Sequence, residues 1–515
     1  MKRSKAIPAA LLLALTLTAC GSAAGTTEQT AGETVFRYGT VAYGPEMANA
    51  GLNPHEAYSG WSAVRYGVGE TLFRLSETME LEPWLAERWE WVDDTTLSIT
   101  LRNGVTFSSG RNMDGQAVKE CLDHLIAVHD RAPGDLNIAA IEAEGQTVTI
   151  TCNAPNPALP NYLSDPYGAI IDMDYGTDGV DETRNVAGTG PFVAYEVADD
   201  HIYLNKNETY WGGVPQVDRV EVRSITDGDT LTMALQAGQL DAVQGLPYAS
   251  LELFADESQY TISSADTSRV FFGAFNYDTP ALQDIQVRQA IAMAIDKDSF
   301  TEVLLHSNGT PAVGPFSFDT DGVTASAYDP DAARSLLAEA GWTDSDGDGY
   351  VDKDGQTLTI RWLTYPGRQE LPLLAEAAQA TLQEVGIQVE INSTANHLGV
   401  LESGDWDVYV SAFVAAPTGD PAYFFTTHCL DSSAKNRGGY HSDELEAQAA
   451  QLAGTFDPAE RAALGTAMSQ TILDDYGYFF ASYLRMNFVM NNRVTGFTAH
   501  PSDYYEITAQ LSVGE

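Results

Sequence analysis

The sequence predicts an α/β protein, because segments with the period of a strand alternate with segments with the period of a helix along most of the chain. Val35–Thr40 and Thr147–Cys152 have strand patterns, and residues 113–129 have the apolar spacing of an amphipathic helix. A helical pattern at 371–385 is followed by Gly386 and a strand pattern at 387–391. Helix, glycine cap and strand in this order are typical of an open sheet.

The second half of the chain continues the alternation. Helical patterns at 286–304 and 331–340 precede the helix-glycine-strand unit, and a helix-rich stretch from 442 to 473 comes after it. An aromatic run at 476–483 and a further strand pattern come next. No internal repeat is visible, so the pattern predicts large α/β domains rather than a repeat array.

The first twenty residues have the features of a secretory signal. Lys2, Arg3 and Lys5 precede an apolar run from residue 6 to 17, which is shorter than the roughly 20 residues that a membrane-spanning helix needs. The order Leu-Thr-Ala-Cys that ends at Cys20 resembles the bacterial lipobox, whose cysteine is acylated and becomes the new N-terminus. We therefore expect a lipoprotein signal peptide whose anchor is Cys20.

The chain beyond the signal has the composition of a tether and a large acidic globular part. Residues 21–34 are rich in Gly, Ser and Thr and predict a flexible tether. The remaining chain of about 480 residues is enough for two or three domains. The 515 residues include 72 acidic and 27 basic ones, and the net charge of −45 excludes a nucleic-acid partner. A negative charge spread over the whole chain either favours cationic ligands or simply belongs to a solvated surface.

Three cysteines remain besides Cys20. Cys121, Cys152 and Cys429 lack the paired short spacing of a zinc site, and three residues do not make a disulfide framework. Cys121 and Cys152 either pair in an oxidising compartment or stay as buried thiols. The sequence leaves both alternatives open.

Short motifs in a fixed order carry a family resemblance from about residue 36 onward. The chain resembles family 5 solute-binding proteins, the dipeptide, oligopeptide and nickel binders of ABC importers, in GETLF (69–73), LEPWLAERWE (81–90), LRNGVTF (101–107), GTGPF (188–192), NETYWGGVP (207–215), AGQLD (237–241), VRQAI (287–291) and AIDK (294–297). We expect most of these residues to be structural. Gly188 and Gly190 would allow backbone conformations closed to other residues, and Tyr210 with Trp211 would fill a core.

The resemblance implies a periplasmic-binding-protein-like fold with two main lobes joined by a hinge, plus an extra inserted lobe. Lobe I would contain residues 35–69, 188–284 and 486–515, lobe II residues 70–187, and lobe III residues 285–485. Ligand would be trapped between lobes I and III by hinge closure and delivered to an ABC permease and its ATPase. A monomeric binding protein without catalytic activity or a required cofactor is implied.

The ligand of such a protein is a peptide or a metal chelate. In peptide-binding members, a carboxylate in the lobe III cleft receives the peptide's ammonium group. The matching position here falls on Pro417, whereas Asp420 belongs to an Asp-Pro pair that caps the next helix. Asp420 would bind the ammonium group of a peptide only if the chain aligns with the peptide-binding members in a different register.

Other features look like the nickel branch of the family, and the sequence favours a nickel chelate slightly over a peptide. Arginine can bind a chelator's carboxylates in a bidentate way, and imidazole can fill an open metal position. The candidate ligand-binding residues are His55, Trp61, Arg65, His428, Asn436, Arg437 and Tyr440.

A separate acidic segment resembles a calcium loop. Asp344, Asp346 and Asp348 stand at loop positions 1, 3 and 5, with Gly349 at position 6. Gly355 stands at position 12, where a bidentate acid is expected, so Asp352 or Asp354 would have to substitute. Structural Ca²⁺ and a bare acidic turn are the alternatives.

Two other function classes are alternatives, and the sequence argues against only the first of them. A secreted hydrolase would need a catalytic motif, and neither GxSxG nor HExxH occurs. A lipoprotein that passes its closed form to a sensor would use the same binding mechanism. In either case the protein would lie in the cell envelope outside the cytoplasm, and the sequence does not distinguish a Gram-positive from a Gram-negative envelope.

Overall fold

A computed structural model describes residues 32–318 and 320–514. The predicted signal peptide, Cys20 and all but the last three residues of the predicted tether lie outside the described residues. The chain from Thr34 onward forms one compact unit. In the described parts of the chain, no helix is both long and apolar enough to cross a membrane.

The strands are, in chain order, β1 Val35–Thr40, β2 Phe73–Leu75, β3 Leu81–Pro83, β4 Ala86–Asp93, β5 Thr96–Leu101, β6 Ile138–Glu144, β7 Thr147–Cys152, β8 Phe192–Val197, β9 His201–Lys206, β10 Arg219–Ser224, β11 Ala242–Gln244, β12 Tyr260–Phe275, β13 Gly309–Pro311, β14 Asp352–Lys353, β15 Gln356–Thr357, β16 Thr359–Thr364, β17 Gln388–Ser393, β18 Val408–Val414, β19 Tyr478–Asn491, β20 Val494–Thr495 and β21 Ser512–Val513.

The α-helices are α1 Ser59–Arg65, α2 Gly115–Val128, α3 Ala132–Leu136, α4 Leu159–Tyr162, α5 Gly228–Gln236, α6 Ile285–Met293, α7 Lys297–Ser299, α8 Pro330–Glu339, α9 Glu370–Glu384, α10 His397–Ser403, α11 Ala422–His428, α12 Asp443–Leu452 and α13 Pro458–Asp474. The 3₁₀ turns are Pro45–Met47, Pro166–Gly168, Tyr248–Phe254 and Pro280–Gln283, and a π-helical turn spans Phe300–Leu304.

One large sheet runs through the compact unit and confirms the predicted α/β class. Its strand order is β17-β16-β18-β12-β19-β11-β1-β10-β9-β8, and β13 pairs with β19 outside this path. Parallel pairs such as β1 with β10 and β16 with β17 occur in both halves of the sheet. The long antiparallel strands β12 and β19 lie between the halves, so they are the connection across which the halves meet.

A four-stranded antiparallel sheet, in the order β4-β5-β7-β6, lies within the predicted lobe II. Helix α2 covers it, and its buried face includes Val118, Leu122 and Leu125. Asp114 starts this helix, because its side chain accepts a hydrogen bond from the backbone N–H of Ala117. The two sheets agree with separate lobes, but the boundaries of the three lobes stay a prediction.

The glycines of the GTGPF motif are needed for space rather than for backbone conformation. A Cβ atom on Gly188 would lie 2.0 Å from the Val68 carbonyl oxygen, and one on Gly190 would lie 2.3 Å from that of Gly67. Neither glycine has a positive φ, so the expected conformational reason was wrong. The motif holds two backbone segments closer together than any side chain allows.

The cysteines that the structure describes are free and buried. Cys121, Cys152 and Cys429 form no disulfide. Burial in apolar surroundings raises the pKa of the Cys121 thiol to about 12 and that of the Cys152 thiol to about 11. The alternative of buried thiols, left open by the sequence, therefore holds.

Candidate ligand-binding site

A cavity of about 840 Å³ lies where β12 and β19 cross between the halves of the large sheet. Residues 267–269 of β12 and residues 484–487 of β19 contribute to its wall. The ladder between these strands shifts register between Asp266 and Val270, so residues 267–269 are not paired with β19. Such an irregularity redirects side chains out of the sheet, and here it turns them toward the cavity.

Hydrogen bonds to neighbouring strands stabilise this register shift in β12. Asp266 accepts hydrogen bonds from Arg485 at 2.8 Å and from the Thr310 hydroxyl at 2.7 Å. The Thr267 hydroxyl donates to the Leu484 carbonyl oxygen at 2.9 Å. The bend in the crossing strand is therefore fixed from β13 and β19 before any ligand binds.

The cavity has a charge opposite to that of the whole chain. Acidic residues outnumber basic ones 72 to 27 in the sequence. The basic residues of the cavity wall are Arg65, Arg131, Arg269, Arg368, Lys435 and Arg485, whereas the acidic ones are Glu46, Glu370 and Asp503. A local excess of cations in a strongly acidic protein favours an anionic ligand.

Some of these cations are already paired with carboxylates. The Arg65 Nη2 atom lies 2.6 Å from Asp503 Oδ2. The Arg65 Nε atom lies 3.1 Å from Glu506 Oε1, but the geometry of this contact is not that of a hydrogen bond. Burial raises the pKa of Glu506, and the neighbouring Arg65 opposes this shift. Arg131 lies 2.7 Å from Asp165. Such paired groups shape the wall and leave little free charge for a ligand.

Three other cations have no acceptor among the residues that the structure describes. The side chains of Arg269, Arg368 and Lys435 make no hydrogen bond or ion pair there. Lys435 Nζ lies 4.7 Å from the centre of the Phe413 ring, and burial followed by repulsion from Arg437 lowers its pKa. Burial and repulsion from Arg368 lower the pKa of Arg269 to about 9. These groups are the free positive charges of the cavity.

Aromatic side chains form the remaining wall. Trp61 packs against Tyr58 and Tyr504, with ring centres 5.5 and 5.9 Å apart. Phe413 stacks on Tyr423 with 5.6 Å between ring centres. Tyr504 is 2% exposed and its hydroxyl has no partner among the described residues. A buried hydroxyl without a partner is a position where a ligand or water can bind.

Of the residues that the sequence singled out, Trp61 and Arg65 line this cavity. Asp420 does not, although Pro417 does. The Asp420 carboxylate is buried, receives two short bonds from Arg461 at 2.8 and 2.6 Å, and accepts from the N–H of Ala422 at the start of α11. The N-cap residue of α11 is Pro421 rather than Asp420, and the ion pair with Arg461 already neutralises the charge of Asp420.

The two candidate histidines lie in the interior, outside the cavity wall. His55 Nδ1 lies 2.8 Å from His124 Nδ1, and its Nε2 lies 3.6 Å from the Cys121 sulfur. His428 packs among Phe272, Phe413 and Phe424, and its Nε2 has no partner among the described residues.

Burial lowers the pKa of both His55 and His428 to about 3. Both imidazoles are therefore neutral near pH 7.

The last three candidates belong to the loop after α11. Asn436 donates to the Tyr440 carbonyl at 2.7 Å and accepts from the Tyr440 N–H, which closes the loop. The Tyr440 hydroxyl donates to the half-buried Asp475 at 2.7 Å. Arg437 is exposed and does not line the cavity. The same loop nevertheless contains Lys435, which lines the cavity.

His428 predicts a pH dependence of stability. With a folded pKa of about 3 and an unfolded one near 6.5, its contribution is present above pH 6.5 and is lost as the pH falls toward 3. His428→Phe removes this titration while keeping an aromatic ring. We expect the variant to gain about 2 kcal/mol relative to the parent between pH 7 and pH 5 in urea unfolding. Parallel stability curves for the two proteins would contradict the buried, neutral imidazole.

The predicted calcium loop is an exposed acidic turn in this structure. Ligand oxygens of Asp344, Asp346 and Asp348 lie within 4.8 Å of one another. Asp352 instead accepts from the backbone N–H and the hydroxyl of Ser345 at 2.9 and 2.8 Å. The turn is closed by its own hydrogen bonds, and calcium binding stays a prediction.

Comparison with known proteins identifies the family. The family model described as bacterial extracellular solute-binding proteins, family 5, matches residues 80–436, which is more than half of the chain. The chain belongs to this family. Its members are binding proteins of transport systems, so this protein is a binding protein and not an enzyme.

Relatives within family 5 differ in what they are named for. The nickel-binding protein NikA of Staphylococcus aureus is 26% identical over 455 residues, which cover 87% of this chain and 90% of the relative. The glutathione-binding protein GsiB of Salmonella paratyphi A is 27% identical over 427 residues, covering 80% and 83%. The crystal structure of NikA from Brucella suis in complex with Fe(III)-EDTA has a TM-score of 0.82 and 25% identity, and the match covers 93% of this chain and 100% of that one.

Proposed function

We propose that this family 5 protein is the lipid-anchored solute-binding component of an ABC importer. It captures a metal chelate, with nickel as the favoured metal, between lobes I and III and delivers it to a permease and its ATPase. Cys20 holds it at the outer side of a membrane through its lipid. Closure of the lobes around the ligand is what the permease would recognise.

The observation that carries the proposal is the set of unpaired cations in the cavity. Arg269, Arg368 and Lys435 would repel a free divalent cation, because like charges destabilise each other strongly where water is excluded. They would attract the carboxylates of a chelator, and each guanidinium can bind one carboxylate through two parallel hydrogen bonds. The metal would therefore enter as part of an anionic complex.

The cavity also lacks a coordination shell of its own. No histidine is among its described lining residues. Within the described ranges, the only group of three or more potential metal ligands in reach of one another is the exposed cluster Asp344, Asp346 and Asp348. A metal in the cavity would keep the ligand atoms of its chelator. The complex of the Brucella suis relative, in which the iron is bound to EDTA, supports a chelate of this kind.

A peptide is the second candidate, and the glutathione-binding relatives favour it. The carboxylates of a peptide would fit the same cations, but its ammonium group needs a free acid. Asp503 is paired with Arg65 through Oδ2, while its Oδ1 has no hydrogen-bond partner among the described residues, and Glu370 accepts a hydrogen bond from Tyr248 at 2.5 Å. The remaining acid of the wall is Glu46, which is exposed. The six basic residues of the wall outnumber its three acids, so the cavity suits an acidic chelate better than a zwitterionic peptide.

Calorimetric titration of the mature protein tests the proposal. The ligands are Ni²⁺ alone, Ni²⁺ with histidine, Ni²⁺ with a polycarboxylate chelator, glutathione, and a set of di- to pentapeptides. We expect saturable binding only when Ni²⁺ and a chelator are present together. Arg368→Gln should weaken that binding by about 10-fold or more, since a charge-assisted bond is lost.

The exposed Arg223, which pairs with Glu221 on β10, provides a matched control. Arg223→Gln removes the same charge from the surface and should leave binding unchanged. Binding of peptides without any response to nickel chelates would replace the proposal with the peptide function. Binding of Ni²⁺ alone would contradict the argument from the cavity's charge.

A further inference from the structure

Arg269 occupies an unusual position for an arginine. It lies in the register break of β12, the strand that connects the two halves of the large sheet. The hydrogen bonds at this residue involve its backbone, whose N–H donates to the Thr267 hydroxyl at 3.3 Å. Its guanidinium group faces the cavity with no acceptor among the described residues.

The charges around Arg269 make this arrangement unfavourable without a ligand. Arg368 is the strongest of the neighbouring charges that lower its pKa, and Arg65 acts in the same direction. Asp503 opposes them, but its carboxylate is already shared with Arg65. Partly buried like charges without partners raise the free energy of the empty cavity.

Arg269 and Arg368 belong to different structural elements. Arg368 precedes the fifteen-residue helix α9, whose N-terminal residues Gln369 and Glu370 also line the cavity. The N-terminal end of a helix carries a partial positive charge, and here the first-turn carboxylate of Glu370, which accepts a hydrogen bond from Tyr248, offsets it. Arg269 belongs to the crossing strand. A ligand that binds both guanidinium groups would connect the segment before α9 to the crossing strand β12.

We propose that Arg269 and Arg368 each bind one carboxylate of the same ligand, so that the cavity selects solutes with two or more carboxylates over those with one. A monocarboxylate neutralises one guanidinium and leaves the other unpaired when the cavity closes. A dicarboxylate or tricarboxylate neutralises both and removes their repulsion. This inference uses the cavity of the proposed function and deepens it, because it names the charge class of the ligand.

A metal-free series of acids tests the selection directly. The mature protein is titrated with butyrate, glutarate and tricarballylate, which differ chiefly in the number of carboxylates. We expect glutarate and tricarballylate to bind at least about 10-fold more tightly than butyrate. Arg269→Gln should remove this difference in affinity. Its affinity for butyrate should stay within about threefold of the parent value, because butyrate can still bind Arg368.

Two further variants separate a specific role from a general one. Arg269→Lys keeps the charge but loses the two parallel hydrogen bonds, so it should retain only part of the preference. Arg334→Gln removes an exposed charge of lobe III and should change neither affinity nor preference. Because Arg269 is unpaired in the ligand-free protein, Arg269→Gln should melt at the same or a higher temperature than the parent. A lower melting temperature would contradict the absence of a partner.

The outcomes distinguish this inference from the proposed function. Nickel chelates that bind with equal affinity to the parent and to Arg269→Gln would overturn the inference and leave the proposed function standing. Polycarboxylates that bind in an Arg269-dependent way, while nickel chelates do not bind, would support the inference and remove the metal from the proposed function. A parent protein that binds none of the acids, or binds all three equally, would overturn the inference.

Discussion

Asp420→Ala is expected to lower the free energy of unfolding by about 3–5 kcal/mol, because it leaves the Arg461 guanidinium buried without its counter-charge. Arg461 and Asp420 are 6% and 3% exposed, and two guanidinium nitrogens bind the carboxylate. The N–H of Ala422 loses its acceptor in the same substitution. Urea unfolding of the mature protein, followed by circular dichroism, measures the loss.

Two comparisons define what this loss means. Asp331→Ala breaks the exposed pair with Arg334 on α8 and is expected to cost far less, since water screens such pairs. Asp420→Leu combined with Arg461→Met removes both buried charges and should recover part of the stability. If Asp420→Ala instead kept its stability and abolished the binding of a peptide, Asp420 would be the ammonium partner of a peptide ligand.

The regular elements were predictable wherever the apolar period is undisturbed. The strand Val35–Thr40 has the predicted bounds, and the helix predicted at 113–129 is α2 with Asp114 as its cap. The helix predicted at 286–304 was wrong in its extent. It ends at Met293 and is followed by the short helix α7 and a π-helical turn. Asp296 caps α7, because its side chain accepts from Ser299 N–H, and a capping aspartate interrupts the longer pattern.

The candidate binding site was predictable only in part. Trp61 and Arg65 were singled out from the sequence and line the cavity. The histidines were chosen for their chemistry, but His428 lies among three phenylalanines and His55 against another histidine. Residue type indicates what a side chain can bind, whereas burial decides whether it can be reached. Burial depends on packing between segments that are hundreds of residues apart.

The unpaired cations were missed for a related reason. Arg269, Arg368 and Lys435 are three of 27 basic residues in a chain with 72 acids. Their significance comes from the lack of a hydrogen-bonded or ion-paired acceptor among the described residues, which is a property of the folded chain rather than of any motif. The available signal was the rarity of arginine itself, since an arginine in a strand of this acidic protein needs either an acid or a ligand.

Glu70→Leu is the second substitution with a large expected effect. Glu70 is fully buried and accepts three side-chain hydrogen bonds, from Thr189 at 2.8 Å, Tyr210 at 2.6 Å and Trp211 at 2.8 Å. It thereby joins the GETLF, GTGPF and NETYWGGVP motifs, which are far apart in the chain. Leucine would leave buried donors without acceptors, so we expect a loss of about 3–5 kcal/mol in urea unfolding at pH 7.

Glu70→Gln gives a milder and pH-dependent form of the same test. Burial raises the pKa of Glu70 to about 7, whereas the unfolded value is near 4.5. The folded parent therefore holds more protons between these values and loses stability as the pH rises through them. Glutamine does not titrate, so its deficit relative to the parent should shrink by about 2 kcal/mol from pH 5 to pH 7. Because Glu70 does not line the cavity, ligand affinity should be unchanged in the folded variant. A stability deficit of Glu70→Gln that is the same at pH 5 and pH 7 would mean that Glu70 is already ionised at pH 5. A loss of ligand affinity would mean that the hydrogen bonds of Glu70 to the other two motifs also determine the shape of the cavity.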